Sequence, residues 1–348
     1  MTPPIFFFIP PNLWPEDLPT RVNQNWTGYS LGIYAWTVQT QMYLKSIGIN
    51  CTLTQQLPEA GIVFCHSQVL QSVELLSSPT RLIICIKADA PLCQNALIHV
   101  VQNPSEASPI NDRYYIPHWP QPQLLGRLPS RAEQFSTIAF FGHDTSLAPE
   151  LRSPAWRNAL DDLGLNWRVI NDTSQWNQRN RINADWNDYS EIDAVLAVRS
   201  FKPLEQRLTG YFSSKPPTKL FNAWLSGTIP ILGRESAYRQ VGTPGIDYVE
   251  VTSFKALIRT LSALKQDEAR RRSLLTQGRL RAQEYTPAKI LRKWQIFLEV
   301  VAIPAYYQWC QSSPQRRQQM LLSTRLSSQI NRLSYRFRRV LLEMLISQ

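Results

Sequence analysis

No apolar run in this sequence reaches the roughly eighteen residues that a bilayer-spanning helix needs. The stretch Ile5-Phe6-Phe7-Phe8-Ile9 is closed by Pro10-Pro11 and has no basic leader, so a buried strand is expected there and not a secretory signal. Cysteine is sparse and odd in number: Cys51, Cys65, Cys85, Cys93 and Cys310, with no CxxC pair. Reduced, buried thiols of a cytoplasmic protein are expected, and no disulfide frame. The four histidines, His66, His99, His118 and His143, form no HxxxH or HxH pair. No Asp-x-Asp occurs either, because Asp161 and Asp162 are adjacent within an expected helix. No metal and no other cofactor is expected. Charged residues are few, at 18%, and acids fewer than bases.

What is present is apolar and aromatic. At 43% hydrophobic, 348 residues suffice for two well-filled domains. Most of the eleven Trp and thirteen Tyr are expected in core packing. The net charge is +11, of which residues 304–348 carry +6, with seven arginines against Glu343. The excess is local and does not describe a basic coat.

The first third alternates strand-like and helix-like segments. Ile5–Ile9, Asn50–Leu53, Gly61–Cys65, Leu82–Lys87 and Ile98–Val101 read as strands, with a helix over Gly32–Ile47. This spacing predicts a parallel, Rossmann-like first domain over 1–116. Four prolines between 117 and 129 mark an interdomain linker over 117–135. A second α/β domain is expected over 136–303. Its strands are Ser136–Phe141, Trp167–Ile170, Ile192–Val198, Thr228–Leu232 and Asp247–Val251. Ala155–Leu163 is expected as a helix and Trp176–Tyr189 as a loop. Three helices close it: Phe254–Leu264, Glu268–Tyr285 and Pro287–Val301.

The informative passage is Lys215-Pro216-Pro217-Thr218-Lys219-Leu220-Phe221-Asn222, running through Gly227 to Gly233-Arg234-Glu235-Ser236. It reads as a helix capped by Ser213-Ser214, with both prolines in its first turn and a stop at Gly227. A helix start beside the carboxyl end of a strand is where open α/β sheets bind ligands. Its free N–H groups and dipole favour an anion. Lys215, Lys219, the Thr218 hydroxyl and Arg199, which follows the preceding strand, together suit a diphosphate.

Lys219–Leu232 resembles the nucleotide-binding segment of GT-B glycosyltransferases, which carries a Lys-Leu-x-Asn-Ala-x-x-x-Gly-x-x-Pro run. The similarity extends loosely through Phe140-Phe141-Gly142, Asp188-Tyr189-Ser190, Ala197-Val198-Arg199-Ser200 and Gly233–Tyr238. It implies two Rossmann-like domains with parallel sheets facing across a cleft, plus C-terminal helices. It also implies transfer of a sugar from a nucleoside-diphosphate sugar to a glycan or lipid-linked glycan. By this resemblance Gly142, Arg199, Lys215, Thr218, Lys219, Asn222, Glu235 and Ser236 are the donor-binding candidates. The lysine matching Lys219 would contact donor phosphates. The carboxylate that commonly holds the donor ribose is replaced by Thr218, leaving Glu235 as the substitute.

An acceptor hydroxyl needs a base in an inverting enzyme. Glu16 and Asp17, in the loop after the first strand, and His118 are the candidates. Trp26-Thr27-Gly28-Tyr29-Ser30 with Gly32 is a candidate acceptor pocket. In the tail, Leu322, Leu326, Ile330, Leu333, Phe337, Val340, Leu341 and Met344 form one helical face flanked by Arg325, Arg332, Arg336 and Arg339. This suits an anionic membrane surface over 322–345, or docking on the protein itself, and does not suit nucleic acid. A peripheral place on the cytoplasmic membrane face follows from the first alternative. A sugar-nucleotide epimerase and a non-catalytic nucleotide- or sugar-binding protein are the alternatives to a transferase.

Overall fold

The computed structural model describes residues 2–72, 77–142, 146–170, 184–322, 324–326, 328–330 and 333. Two compact units emerge. The first comprises residues 1–119, 214–216 and 287–348, and the second 120–213 and 217–286.

The first unit is built on β1 (Ile5–Phe8), β2 (Cys51–Thr54), β3 (Gly61–His66), β4 (Arg81–Ile86), β5 (Ile98–Val101) and β6 (Arg113–Tyr115). All pair in parallel, in the order β2-β1-β3-β4-β5-β6. The near-continuous apolar strands explain this arrangement, since a parallel sheet is buried on both faces. Alternate residues serve opposite layers. Phe7, Phe64, Leu82 and Ile84 pack on one side, and Phe8, Val63, Cys65 and Ile83 on the other. The long helix expected over Gly32–Ile47 is broken into α1 (Gly32–Trp36) and α2 (Val38–Ser46). At the break, the Thr37 hydroxyl donates to the Ile33 carbonyl at 2.5 Å. α3 (Ser67–Ser72) follows β3 directly.

The second unit carries β7 (Thr137–Phe141), α4 (Pro154–Leu163), β8 (Asn166–Ile170), β9 (Ala194–Ala197), α5 (Pro203–Leu208), α6 (Thr218–Ser226), β10 (Ile229–Gly233), α7 (Ser236–Val241), β11 (Val249–Val251), α8 (Phe254–Gln266) and α9 (Glu268–Ala282). Its sheet is also parallel, in the order β11-β10-β9-β7-β8. Trp224 on α6 anchors this core. Its indole N–H donates to the Asp247 carbonyl at 2.8 Å, and Gly278 of α9 leaves room for the ring.

Two boundaries differ from the sequence reading. Residues 120–135, expected as linker, belong to the second unit, where Arg127 and Arg131 clamp Asp193. α10 (Pro287–Phe297), expected in the second domain, belongs to the first. It continues through a π turn (Leu298–Ala302) into α11 (Ile303–Gln311), and Trp294, Phe297 and Trp309 fill the first unit's core. No described helix is long and apolar enough to cross a membrane. Four cysteines are buried and Cys310 half-buried, all as free thiols. Most of the loop expected over Trp176–Tyr189 lies outside the described residues, as do His143, Phe337, Val340, Leu341, Met344, Arg332, Arg336 and Arg339.

Candidate functional site

In the second sheet β7 pairs with β8 on one side and β9 on the other. The chain reverses its lateral direction there, and such a switch point opens a crevice at the carboxyl ends of the two strands. β7 ends at Phe141, and Gly142 follows with φ +140°. That left-handed backbone suits glycine, and so does the space. A Cβ at Gly142 would lie 3.3 Å from Lys219 Nζ and 3.3 Å from the Phe140 ring. Lys219 thus lies along β7's end, its ammonium 5.4 Å from the Phe140 ring centre.

Lys219 stands in the first turn of α6, which starts at Thr218 with Pro217 at the cap position. Proline provides no side-chain cap, so the helix start is left for another acceptor. The buried Thr218 hydroxyl has no hydrogen-bond partner among the described residues. Gly227, at φ +71°, ends the helix as expected. At the neighbouring strand ends, Arg199 follows β9 and Glu235 precedes α7, joined in an ion pair at 3.1 Å. Gly233 permits this closeness, since a Cβ there would sit 3.1 Å from Val198 Cγ1. The Ser236 N–H donates to the Tyr211 carbonyl at 2.8 Å.

The structure therefore brings Gly142, Thr218 and Lys219 together, with Arg199, Glu235 and Ser236 at adjacent strand ends of the same unit. Lys215 is not at the helix tip. It belongs to the first unit, ion-paired with Asp89. Gln102 donates to the Ser214 carbonyl at 2.9 Å and Asn103 to the Lys215 carbonyl at 3.2 Å. Ser213 and Ser214 consequently do not cap α6, and the two prolines precede it. Asn222 is buried and engaged internally, accepting the Gln121 N–H at 3.3 Å and contacting the Tyr189 hydroxyl. Glu235 is 1% exposed and ion-paired with Arg199.

No family profile matches the sequence, and no curated protein matches it. Solved structures do match. AviGT4, a glycosyltransferase involved in avilamycin A biosynthesis, aligns over 87% of this chain and 98% of its own, at 13% identity and TM-score 0.50. Sucrose-phosphate synthase from Thermosynechococcus elongatus aligns over 86% and 99%, at 12% and 0.54. Anabaena Alr3699/HepE in complex with UDP-glucose aligns over 86% and 100%, at 9% and 0.51. The fold is that of the GT-B glycosyltransferases.

Within this GT-B chain the candidate bases of the first unit sit differently from one another. Glu16 is exposed. The exposed Asp17 accepts the Trp26 indole N–H at 3.0 Å and serves as an anchor. His118 is half-buried. Its Nδ1 donates to the Trp119 carbonyl at 2.7 Å, its ring meets Trp36 edge-on, and burial lowers its pKa. The expected acceptor pocket is largely core, because Trp26 and Tyr29 are buried and a Cβ at Gly28 would collide with the Trp26 ring. Among the described residues no three His, Cys, Asp or Glu side chains converge as a metal site.

Proposed function

We propose that the protein is a glycosyltransferase that binds a nucleoside-diphosphate sugar in its second unit and passes the sugar to a glycan or lipid-linked glycan. The observation that carries this reading is the start of α6. There an uncapped helix end, the unpartnered Thr218 hydroxyl and the Lys219 ammonium meet Gly142 at the sheet's switch point. Hydrogen-bond donors, a cation and a glycine gap suit a diphosphate better than a neutral ligand. In transfer, the bond from the anomeric carbon to the diphosphate oxygen breaks and the acceptor oxygen takes that carbon. Negative charge grows on the leaving diphosphate, where Lys219 and the helix dipole stabilise it. Arg199, aligned by Glu235, is the second cation of this unit's strand ends.

The test is a thermal-shift panel of UDP-, GDP-, ADP- and CMP-sugars. UDP-glucose comes first because a structure of the same fold was solved with it. One nucleotide class is expected to raise the melting temperature of the wild type, and Lys219→Ala to lose most of that rise. A variant stabilised as fully as the wild type would remove Lys219 from the site and end the proposal.

The tail supports a peripheral place on the cytoplasmic membrane face. Leu322, Leu326, Ile330 and Leu333 are exposed, at 46%, 61%, 70% and 66%, while Thr324 and Ser328 are buried. The larger apolar side chains thus face outward and the small polar ones inward, with Arg325 half-exposed beside them. An outward apolar stripe in a segment of charge +6 fits an anionic lipid surface.

A further inference from the structure

β9 and β10 run side by side in the second unit, with Ile229 level with Ala194 and Leu232 level with Ala197. One residue further on, a Cβ at Gly233 would lie 3.3 Å from Val198 Cα, so the two chains are still in register where the strands end. The next residue of each is an arginine, Arg199 on one and Arg234 on the other. Adjacent strands lie about 5 Å apart, and like charges set level on them repel. Glu235 pairs with Arg199 at 3.1 Å. Among the described residues no carboxylate pairs with Arg234.

Both guanidinium groups lie against aromatic rings that come from one turn. Arg234 is 4.7 Å from the centre of the Tyr211 ring, and Arg199 is 6.0 Å from that of Phe212. The turn is Gly210-Tyr211-Phe212, with φ of +60°, +54° and +56°. This left-handed region suits glycine, and two bulky residues in succession are strained there. Hydrogen bonds hold the turn in place. The Tyr211 N–H donates to the Gln206 carbonyl at 2.6 Å and the Phe212 N–H to the Thr209 hydroxyl at 3.3 Å. The Tyr211 carbonyl accepts the Ser236 N–H at 2.8 Å, which ties the turn to the residues that follow β10.

Core packing does not account for the strain. Tyr211 and Phe212 are half-buried, and neither belongs to the hydrophobic cores of the second unit. What the strained backbone secures is the contact of each ring with a guanidinium. A ring holds that group by its face and leaves its charge and its N–H edge in place, whereas a carboxylate partner would cancel the charge. Strain of this kind concentrates where a side chain is held ready for a ligand.

We propose that the turn Gly210-Tyr211-Phe212 is a positioning device for anion binding, its Tyr211 ring holding Arg234 and its Phe212 ring holding Arg199 for the phosphates of a nucleotide. Tyr211 and Phe212 are positioning residues, since they act through the two arginines. The identity of the anion as a nucleoside diphosphate rests on the glycosyltransferase reading.

The test is isothermal titration of the full chain with UDP, GDP, ADP and inorganic pyrophosphate, alongside urea denaturation. Glycine relieves left-handed strain and removes the ring at once. Tyr211→Gly with Phe212→Gly is therefore expected to keep or raise the urea midpoint while weakening nucleotide binding roughly tenfold or more. Tyr211→Phe keeps a ring and should retain most of the affinity. Arg234→Gln should weaken binding by itself, and adding Tyr211→Gly to it should cost little more, because that ring acts through the guanidinium. Wild-type affinity in the double glycine variant overturns the proposal. So does a loss of affinity that comes with a lower urea midpoint, the mark of a merely structural turn, and so do losses from Arg234→Gln and Tyr211→Gly that simply add. Nucleotide binding that depends on Lys219 yet ignores the turn sinks this inference and leaves the donor reading standing. A wild type that binds none of the four ligands overturns both.

Discussion

Asp193 shows what a single residue contributes to this fold. Its carboxylate is almost fully buried and receives a bidentate pair from Arg131 at 2.9 and 2.7 Å. Arg127 adds a bond at 3.0 Å, and the backbone N–H groups of Ser136 and Thr137 add others at 2.8 and 2.9 Å. Burial pushes its pKa up, but the bonds from Arg131, Ser136 and Thr137 outweigh burial and leave it lowered. A carboxyl with a lowered native pKa contributes stability in full above its unfolded value of about 4 and loses it as pH falls through the native value. Asp193→Asn leaves two half-buried guanidinium groups short of their counter-charge. The expected cost is about 3 kcal/mol at pH 7, read by urea denaturation. The variant should also lack the wild type's loss of stability below about pH 4. An Asn variant as stable as the wild type would contradict this account.

At the scale of elements, the tail makes the sharpest prediction. If the outward stripe at Leu322, Leu326, Ile330 and Leu333 meets lipid, the protein should co-sediment with vesicles of phosphatidylcholine and phosphatidylglycerol but not with phosphatidylcholine alone. Added salt should weaken this binding, and Leu326→Glu with Ile330→Glu should abolish it. Wild type that ignores anionic vesicles refutes the idea. Elements also show what a sequence can and cannot reveal. Both sheets were legible, because buried parallel strands are short apolar runs between turn residues. α6 was legible at its end, where Gly227 adopts φ +71°, but not at its start. Two prolines suit a first helical turn in general, yet here residues 214–216 are drawn away by partners remote in sequence, namely Asp89, Gln102 and Asn103. No local pattern encodes that. α5 and α7, six residues each, are too short to display a helical period, and β6 has three residues. The residues of the proposed donor site stood out in the sequence because anion binding has a compositional signature, while whether they meet at one place depended on the fold.

For the whole molecule, the histidines divide the two units by their response to acid. Burial lowers the pKa of His66 to about 4 and of His99 to about 3, and lowers that of His118. All three lie in the first unit, and the second has no described histidine. A histidine with a lowered native pKa is protonated first in the unfolded chain. Stability therefore falls as pH drops from about 6.5 towards the native value. Glu106, Asp112 and Asp247, whose carboxyls burial pushes up, work in the opposite sense, two in the first unit and one in the second, against three histidines in the first. The first unit should accordingly lose more stability than the second between pH 7 and 5. Urea unfolding followed by peptide-resolved hydrogen exchange at the two pH values measures this, and equal losses would refute it.

The return of the chain to its first unit bears on how the protein is made. Trp294, Phe297 and Trp309 cover one face of a sheet whose strands β1 to β6 leave the ribosome long before them. Units usually mature in order of synthesis. Here the one begun first is finished last, and until α10 and α11 arrive its apolar face is open to water, to chaperones and to other nascent chains.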